Sequence, residues 1–386
     1  MKKLWLTLLL CIAIFTGCAT IPSESVDSKN SPKQSHSDYE EKEASLSEET
    51  LTDSPKKQSN KKTSKNQKEL EVHFIDVGQG DSALITIGTH AMLIDAGDNS
   101  MGTTVQNYLQ KRGITTLDYV IGTHPDSDHI GGLDVIIYKF ECKKILMPDC
   151  ANDTKTYRDV IESMRAKNYK AVHPKLHQTF SLGNASFCIT GPVKKYEDTN
   201  DNSISLQLTY HDTSFLFMGD VTEETEPDIL SQNRNLKSDV LKVAHHGSKY
   251  STTEEFLAEV SPTYAVISCA KDNKYGFPTA RVLNLLRASG VKLYRTDEQG
   301  SLIAKSDGKT IRWSASPNEE WTAGENTSAS TLQGVTYILN TNTKKFHDIN
   351  CRFAEDISEK NKANTAKSRA ELMKEGYSPC GACSPS

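Results

Sequence analysis

Residues 124–132 read His-Pro-Asp-Ser-Asp-His-Ile-Gly-Gly, directly behind the apolar stretch 117–121 and Gly122-Thr123. Four side chains able to hold a metal, His124, Asp126, Asp128 and His129, follow a strand at positions i, i+2, i+4 and i+5. They cannot all be packing residues, because buried carboxylates need a partner or a cation. The segment therefore belongs at the edge of a sheet, facing a site. Pro125 and the Gly131-Gly132 pair punctuate the loop and free the backbone to wrap ligands before a helix begins. Two divalent ions about 3.5–4 Å apart can share a nucleophile and clamp the oxygens of a displacement.

Three further segments carry the same chemistry. Phe215-Leu216-Phe217-Met218-Gly219-Asp220 is an apolar strand ending in a carboxylate placed to bridge two metals. Leu241-Lys242-Val243-Ala244-His245-His246-Gly247-Ser248 is another strand, ending in adjacent histidines. Leu93-Ile94-Asp95-Ala96-Gly97 ends a strand in an aspartate that can orient a ligating histidine from behind. Upstream, Asp76-Val77-Gly78-Gln79-Gly80-Asp81-Ser82 is a turn between strands 72–77 and 83–87, and Asp81 either shapes that turn or faces the site. The isolated His73, His90, His173, His177 and His211 read as surface or satisfied core residues.

Short strands and helices alternate from residue 70 to about 313, with helices expected at 105–112, 157–167 and 280–289. β-Hairpins mixed with helical crossovers argue for an α/β (α+β) arrangement of sheets covered by helices.

The ordered set Asp-Val-Gly-Gln-Gly-Asp-Ser, Leu-Ile-Asp-Ala-Gly, His-x-Asp-x-Asp-His-x-Gly-Gly, Gly-Asp and His-His-Gly-Ser resembles the ComEC-like branch of the metallo-β-lactamase superfamily. That resemblance implies a four-layer αββα sandwich over residues 70–313, with the site at one edge of two sheets. It implies two divalent ions, zinc or manganese: one on His124 and Asp126, the other on Asp128 and His129, with Asp220 bridging. One of His245 and His246 completes the second site. We assign His245 to metal, and His246, with Asp128, to catalysis, as a phosphate contact or leaving-group acid; the sequence does not order the pair. Asp95 and Asp81 would support the ligands. The implied activity is a metal-dependent hydrolase, a phosphodiesterase or nuclease, with nucleic acid or wall polymer as substrate and no nucleotide cofactor. An esterase or phosphoesterase acting on wall polymer or small molecules, and a surface DNA- or wall-binding protein with a degenerate site, remain alternatives. Two departures motivate the last: Asn202-Ser203 stands where a third histidine is usual, and Tyr275-Gly276-Phe277-Pro278 carries Phe277 in place of histidine.

The ends of the chain differ from this core. Lys2-Lys3, an apolar run to Phe15 and Thr16-Gly17-Cys18 form a signal peptide over 1–17 that resembles a lipoprotein leader, with Cys18 the lipidated residue. This places the protein outside the cytoplasm, lipid-anchored to a bacterial membrane. Residues 18–69 are polar and charged, a disordered tether. The net charge of −5 gives no protein-wide basic field for nucleic acid.

After a polar linker, 314–333, comes a compact module, 334–386, with a strand at 336–340 and a helix at 363–375. His347-x3-Cys351 and Cys380-x2-Cys383 have the ligand types and local spacing of a closed structural zinc site. The arrangement resembles the Ada metal-binding module, with His347 in place of one of its cysteines; a disulfide between two of these cysteines is the competing reading.

Overall fold

Neighbouring side chains along the central strands point to opposite faces, and each face finds a different partner. On Thr213–Phe217, Phe215 and Phe217 turn inward between two sheets while Leu216 packs outward; Val240 and Leu241 divide in the same way. Strands buried on both faces require a layer on each side, which here means a second sheet within and helices outside.

The computed structural model describes residues 68–319, 321–324, 337–349, 351–355, 357–367, 369–380 and 383. The leader, Cys18 and all but the last two residues of the expected tether lie outside the described residues. Among the described residues, no helix is long and apolar enough to cross a membrane.

One sheet runs in the order Ile311–Trp313, Leu302–Ser306, Leu70–Phe74, Ala83–Ile87, His90–Ile94, Tyr119–Ile121, Ile145–Leu146, Ala171–Val172. The other runs Lys292–Arg295, Tyr264–Ile267, Val240–Lys242, Thr213–Phe217, Ser205–Tyr210, Ala185–Gly191, Thr179–Leu182. Between them lies a core that includes Val72, Phe74, Ile85, Met92, Phe187, Leu206, Phe215 and Val266. Helices Gly102–Lys111, Leu133–Lys139 and Lys155–Ala166 cover the outer face of the first sheet through Val105, Leu109, Ile136, Val160 and Met164. Helices Glu254–Val260 and Ala280–Ala288 cover the second through Phe256, Leu257, Val282, Leu283 and Leu286. This is the expected four-layer αββα sandwich.

Within each sheet the strands that lead to the motif residues are parallel neighbours. His90–Ile94 pairs with Tyr119–Ile121, and Thr213–Phe217 pairs with Val240–Lys242. Their carboxyl ends therefore emerge on the same side, where binding sites of α/β folds form.

The tail has a four-stranded sheet of its own, Lys362–Thr365, Tyr337–Asn340, Lys345–Asp348, Ser378–Pro379. Here one expectation needs correction. The run 363–375 is not one helix: Lys362–Thr365 is a strand paired with Tyr337–Asn340, and the helix is confined to Arg369–Lys374, ahead of Gly376. Asn364 and Thr365 favour helices weakly, and an open sheet edge gives their backbone a partner.

Candidate metal centre

The loop from Asp126 to Ile130 folds into a short helical turn, Ser127–Ile130, that returns His129 to the strand ends. A close backbone contact fixes it. Asp81 N donates to Asp128 O at 3.1 Å, and a Cβ on Gly80, whose φ is +132°, would stand 2.1 Å from that carbonyl oxygen. Only glycine lets the two loops approach so closely. Asp95, His245 and His246 all adopt left-handed φ, between 51° and 55°. Each such residue costs about 1–2 kcal/mol when it is not glycine, and strain of this kind gathers at functional sites.

These turns bring His129, Asp220 and His246 to one point, with Asp128 against His246. His129 Nε2 lies 3.1 Å from Asp220 Oδ1 and 3.3 Å from His246 Nε2. His246 Nε2 lies 3.4 Å from Asp220 Oδ2 and 3.3 Å from Asp128 Oδ2. Ligands about 2.0–2.2 Å from a tetrahedral metal stand about 3.3–3.5 Å from one another, so the spacing fits a cation.

The far side of each imidazole agrees. His129 Nδ1 donates to Asp95 Oδ2 at 2.9 Å, and His246 Nδ1 donates to Ser268 O at 2.9 Å. With the proton held on Nδ1, each Nε2 turns a lone pair toward the cluster. Asp95 is itself held by Thr123, through N at 2.8 Å and Oγ1 at 2.7 Å.

The electrostatics point the same way. Burial pushes His129 and His246 down, yet the carboxylates of Asp220 and Asp95 around His129, and of Asp220, Asp128 and Asp81 around His246, raise both well above the ordinary histidine range. Burial likewise works against Asp220 and Asp128, but the neighbouring imidazoles hold them below the usual carboxylate range. Carboxylates this close demand positive charge, which a proton or a metal ion can supply.

The other expected residues take separate positions. His124 is fully buried beside His129, with ring centroids 4.2 Å apart, and its Nε2 has no hydrogen-bond partner. Its Nδ1 lies within reach of Thr123 Oγ1 at 3.1 Å and Ser203 Oγ at 3.3 Å. Asp126 accepts from Thr199 Oγ1 at 3.0 Å and lines the cleft. His124 and Asp126 stand outside the tight group, which joins Asp81, His129, Asp220 and His246, and Asp128 touches that group through His246 Nε2. His245 is also outside it, partly exposed, with Nε2 3.8 Å from Asp220 Oδ2. Asn202 has a structural part: its amide nitrogen donates to the carbonyls of Tyr196 and Asp198, closing the loop from which Ser203 reaches His124.

Two contributors went unread in the sequence. Lys242 is buried in its strand and pairs with Asp81 at 2.8 Å, while Asp81 Oδ1 lies 3.4 Å from His246 Nδ1. A lysine inside the apolar run Val240-Leu241-Lys242-Val243 was the available signal. Thr123, bridging Asp95 and the two histidines, left none.

The cluster opens on a cleft of about 600 Å³ whose lining includes Asp126, Asp128, Asp220, His245, Tyr275 and Phe277. In the tail, His347, Cys351, Cys380 and Cys383 present ligand atoms within 4.8 Å of one another. The Cys383 thiol and His347 hold Cys351 down to about 5 against its burial, which favours the metal-binding thiolate. None of the seven described cysteines is joined to another.

The sequence model of the Metallo-beta-lactamase superfamily matches residues 75–271. The chain is 31% identical over 253 residues to ComE operon protein 3 of Bacillus subtilis (strain 168), a match covering 61% of this chain and 33% of that protein. It is 31% identical over 237 residues to Competence protein ComA of Neisseria gonorrhoeae, covering 61% and 32%. It is also 31% identical over 223 residues to Recombination protein 2 of Haemophilus influenzae, covering 56% and 26%. The chain spans about a third of the length of the curated relatives it matches.

Proposed function

This chain belongs to the metallo-beta-lactamase superfamily of metal-dependent hydrolases, and from that premise we propose that it is a phosphodiesterase working on a pair of divalent cations. The observation that carries the reading is the convergence of His129, Asp220 and His246, drawn from both sheets, at tetrahedral spacing over an open cleft, with Asp128 against His246. In this proposal His246 joins Asp128, His129 and Asp220 at one cation, and His124 and Asp126 share Asp220 at the other. Bound there, zinc or manganese supplies a water acidic enough to attack near neutral pH and positive charge against the phosphate oxygens.

The protein's own groups do the rest. Asp95 fixes the ring of His129 and Ser268 O fixes that of His246, so both lone pairs are aimed before substrate arrives. His245 stands at the cleft wall rather than in the ligand group, where it can contact phosphate or protonate the leaving oxygen. Its pKa is lowered, chiefly by burial, so it loses its proton more readily than an exposed histidine.

The resemblance to competence proteins makes nucleic acid the first substrate class to test. The cleft wall favours a second reading, a small or wall-polymer phosphoester. Beside the proposed ligands it carries Glu197, Asp198, Glu223 and Glu224, a poor match for a long polyanion. We also retain an extracytoplasmic, lipid-anchored protein as a proposal resting on the leader and Cys18.

The test is hydrolysis by protein loaded with Mn²⁺ or Zn²⁺, using bis(p-nitrophenyl) phosphate, single-stranded DNA and double-stranded DNA, with Asp128→Ala as the control. Turnover of the small diester and of DNA supports the nuclease form. Turnover of the small diester alone supports the second reading. No hydrolysis above the control sinks both.

A further inference from the structure

The sandwich alone does not close the cleft over the metal cluster. Its far side is built by the tail: Asp348, Cys351, Phe353 and Cys383 line the same space as Asp128 and His245. Lys249, three residues beyond His246, places its Nζ 2.8 Å from Asp348 Oδ1. Asp348 in turn follows His347, and its backbone N–H donates to Cys383 Sγ at 3.4 Å. The ion pair joining the two walls is thus anchored within a few residues of a candidate metal ligand at each end.

On the sandwich side, aromatic rings step outward from the cluster. Phe277 lies 6.4 Å from the His246 ring at an interplanar angle of 27°, and Tyr275 lies 5.6 Å from Phe277 at 16°. On the tail side, Phe353 lines the cleft and keeps 40% of its surface exposed. Among the described residues, Lys249 is the only lysine or arginine lining this space, and it is committed to Asp348. Neutralising a run of phosphates is therefore not how the cleft grips its substrate; flat rings suit stacking, which does not depend on charge.

We propose that the tail forms the outer wall of the catalytic cleft, and that Phe353, set in place by the Lys249–Asp348 pair, packs on the base of a nucleotide phosphodiester lying toward Phe277 and Tyr275. This deepens the phosphodiesterase reading and rests on it for the reacting group. It assigns the tail a substrate-binding role, beyond that of a separate metal-bound appendage.

Two chromogenic diesters test it: thymidine 5′-(p-nitrophenyl phosphate), which carries a base, and methyl p-nitrophenyl phosphate, which does not. With the metal-loaded full chain, Phe353→Ala lowers the preference in kcat/KM for the thymidine ester by about tenfold, the scale of one base–aromatic contact. Phe353→Tyr retains the preference, and Asp348→Asn lowers it in the same direction as Phe353→Ala. A preference unchanged in both Phe353→Ala and Asp348→Asn overturns the proposal. If the wild-type protein hydrolyses neither ester, the phosphodiesterase reading fails and calorimetric binding decides the wall separately. Tighter binding of thymidine 5′-monophosphate than of inorganic phosphate, lost in Phe353→Ala, supports it; equal binding of the two overturns it.

Discussion

Lys242 and Asp81 form an ion pair of 2.8 Å inside the sandwich, with side-chain exposures of only 4% and 9%. Burial opposes the Asp81 carboxylate, yet Lys242 and His246 hold it down at about 2. The lysine also donates to Val243 O at 3.0 Å, so both partners of the pair are fixed just behind His246. Replacing one partner strands the other's charge, a loss of about 3–5 kcal/mol for a buried pair. Lys242→Met is expected to lower the unfolding midpoint in urea and to weaken metal binding, and adding Asp81→Asn should restore part of the stability. A single variant with wild-type stability and metal affinity would show that the pair has no such role.

Asp95 meets His129 from behind the cluster at 2.9 Å. Partners of this kind tune a ligand's orientation and basicity, and their loss costs about 10–100-fold in metal affinity. Asp95→Asn should therefore bind zinc or manganese more weakly by that factor in a competition titration with a chelating dye. An unchanged dissociation constant would remove Asp95 from the metal centre.

His73 supplies a pH dependence away from the cluster. Burial, with the Arg112 guanidinium adding to it and Glu71 opposing, brings it down from 6.5 to about 4. The folded protein therefore holds His73 neutral where the unfolded chain would already take up a proton. Stability is fully present above pH 6.5, falls as the pH drops below that value, and has lost this contribution once the pH passes about 4. The loss is roughly 3 kcal/mol. Urea unfolding followed from pH 7 to pH 4 should show this slope, and His73→Gln should flatten it.

The tail offers a direct count. Cys380→Ser removes a sulfur from the group with His347, Cys351 and Cys383. Mass spectrometry of the native protein should find one zinc ion fewer than in the wild type. Limited proteolysis should cut first within 337–383, because so small a core would rely on a bound metal as its staple. Equal metal content in the two proteins would leave the four ligands without a cation.

Much of the sandwich was legible because its strands are short apolar runs that end in charged residues unable to remain buried alone. Residues 83–87 match the observed Ala83–Ile87, and the helix expected at 280–289 forms as Ala280–Ala288. The site was legible as a set of ligand types but not as an arrangement. His245 and His246 are adjacent and chemically identical, and only their consecutive left-handed backbone turns send His246 inward, leaving His245 at the wall. Lys242 was hidden because a buried charge reads as an error in an apolar strand until its partner, 161 positions earlier in the chain, is brought beside it. The strand at Lys362–Thr365 was missed for a related reason: its conformation comes from the edge of Tyr337–Asn340, which local sequence does not display.

The cluster draws His129, backed by Asp95, from one sheet and Asp220 and His246 from the other, with His129 and His246 separated by 117 positions. A cation seated among them would rivet the two halves of the sandwich together at their open edge. Metal loading should then harden the whole fold against heat and denaturant, since a bound ion stabilises everything that must come apart to release it.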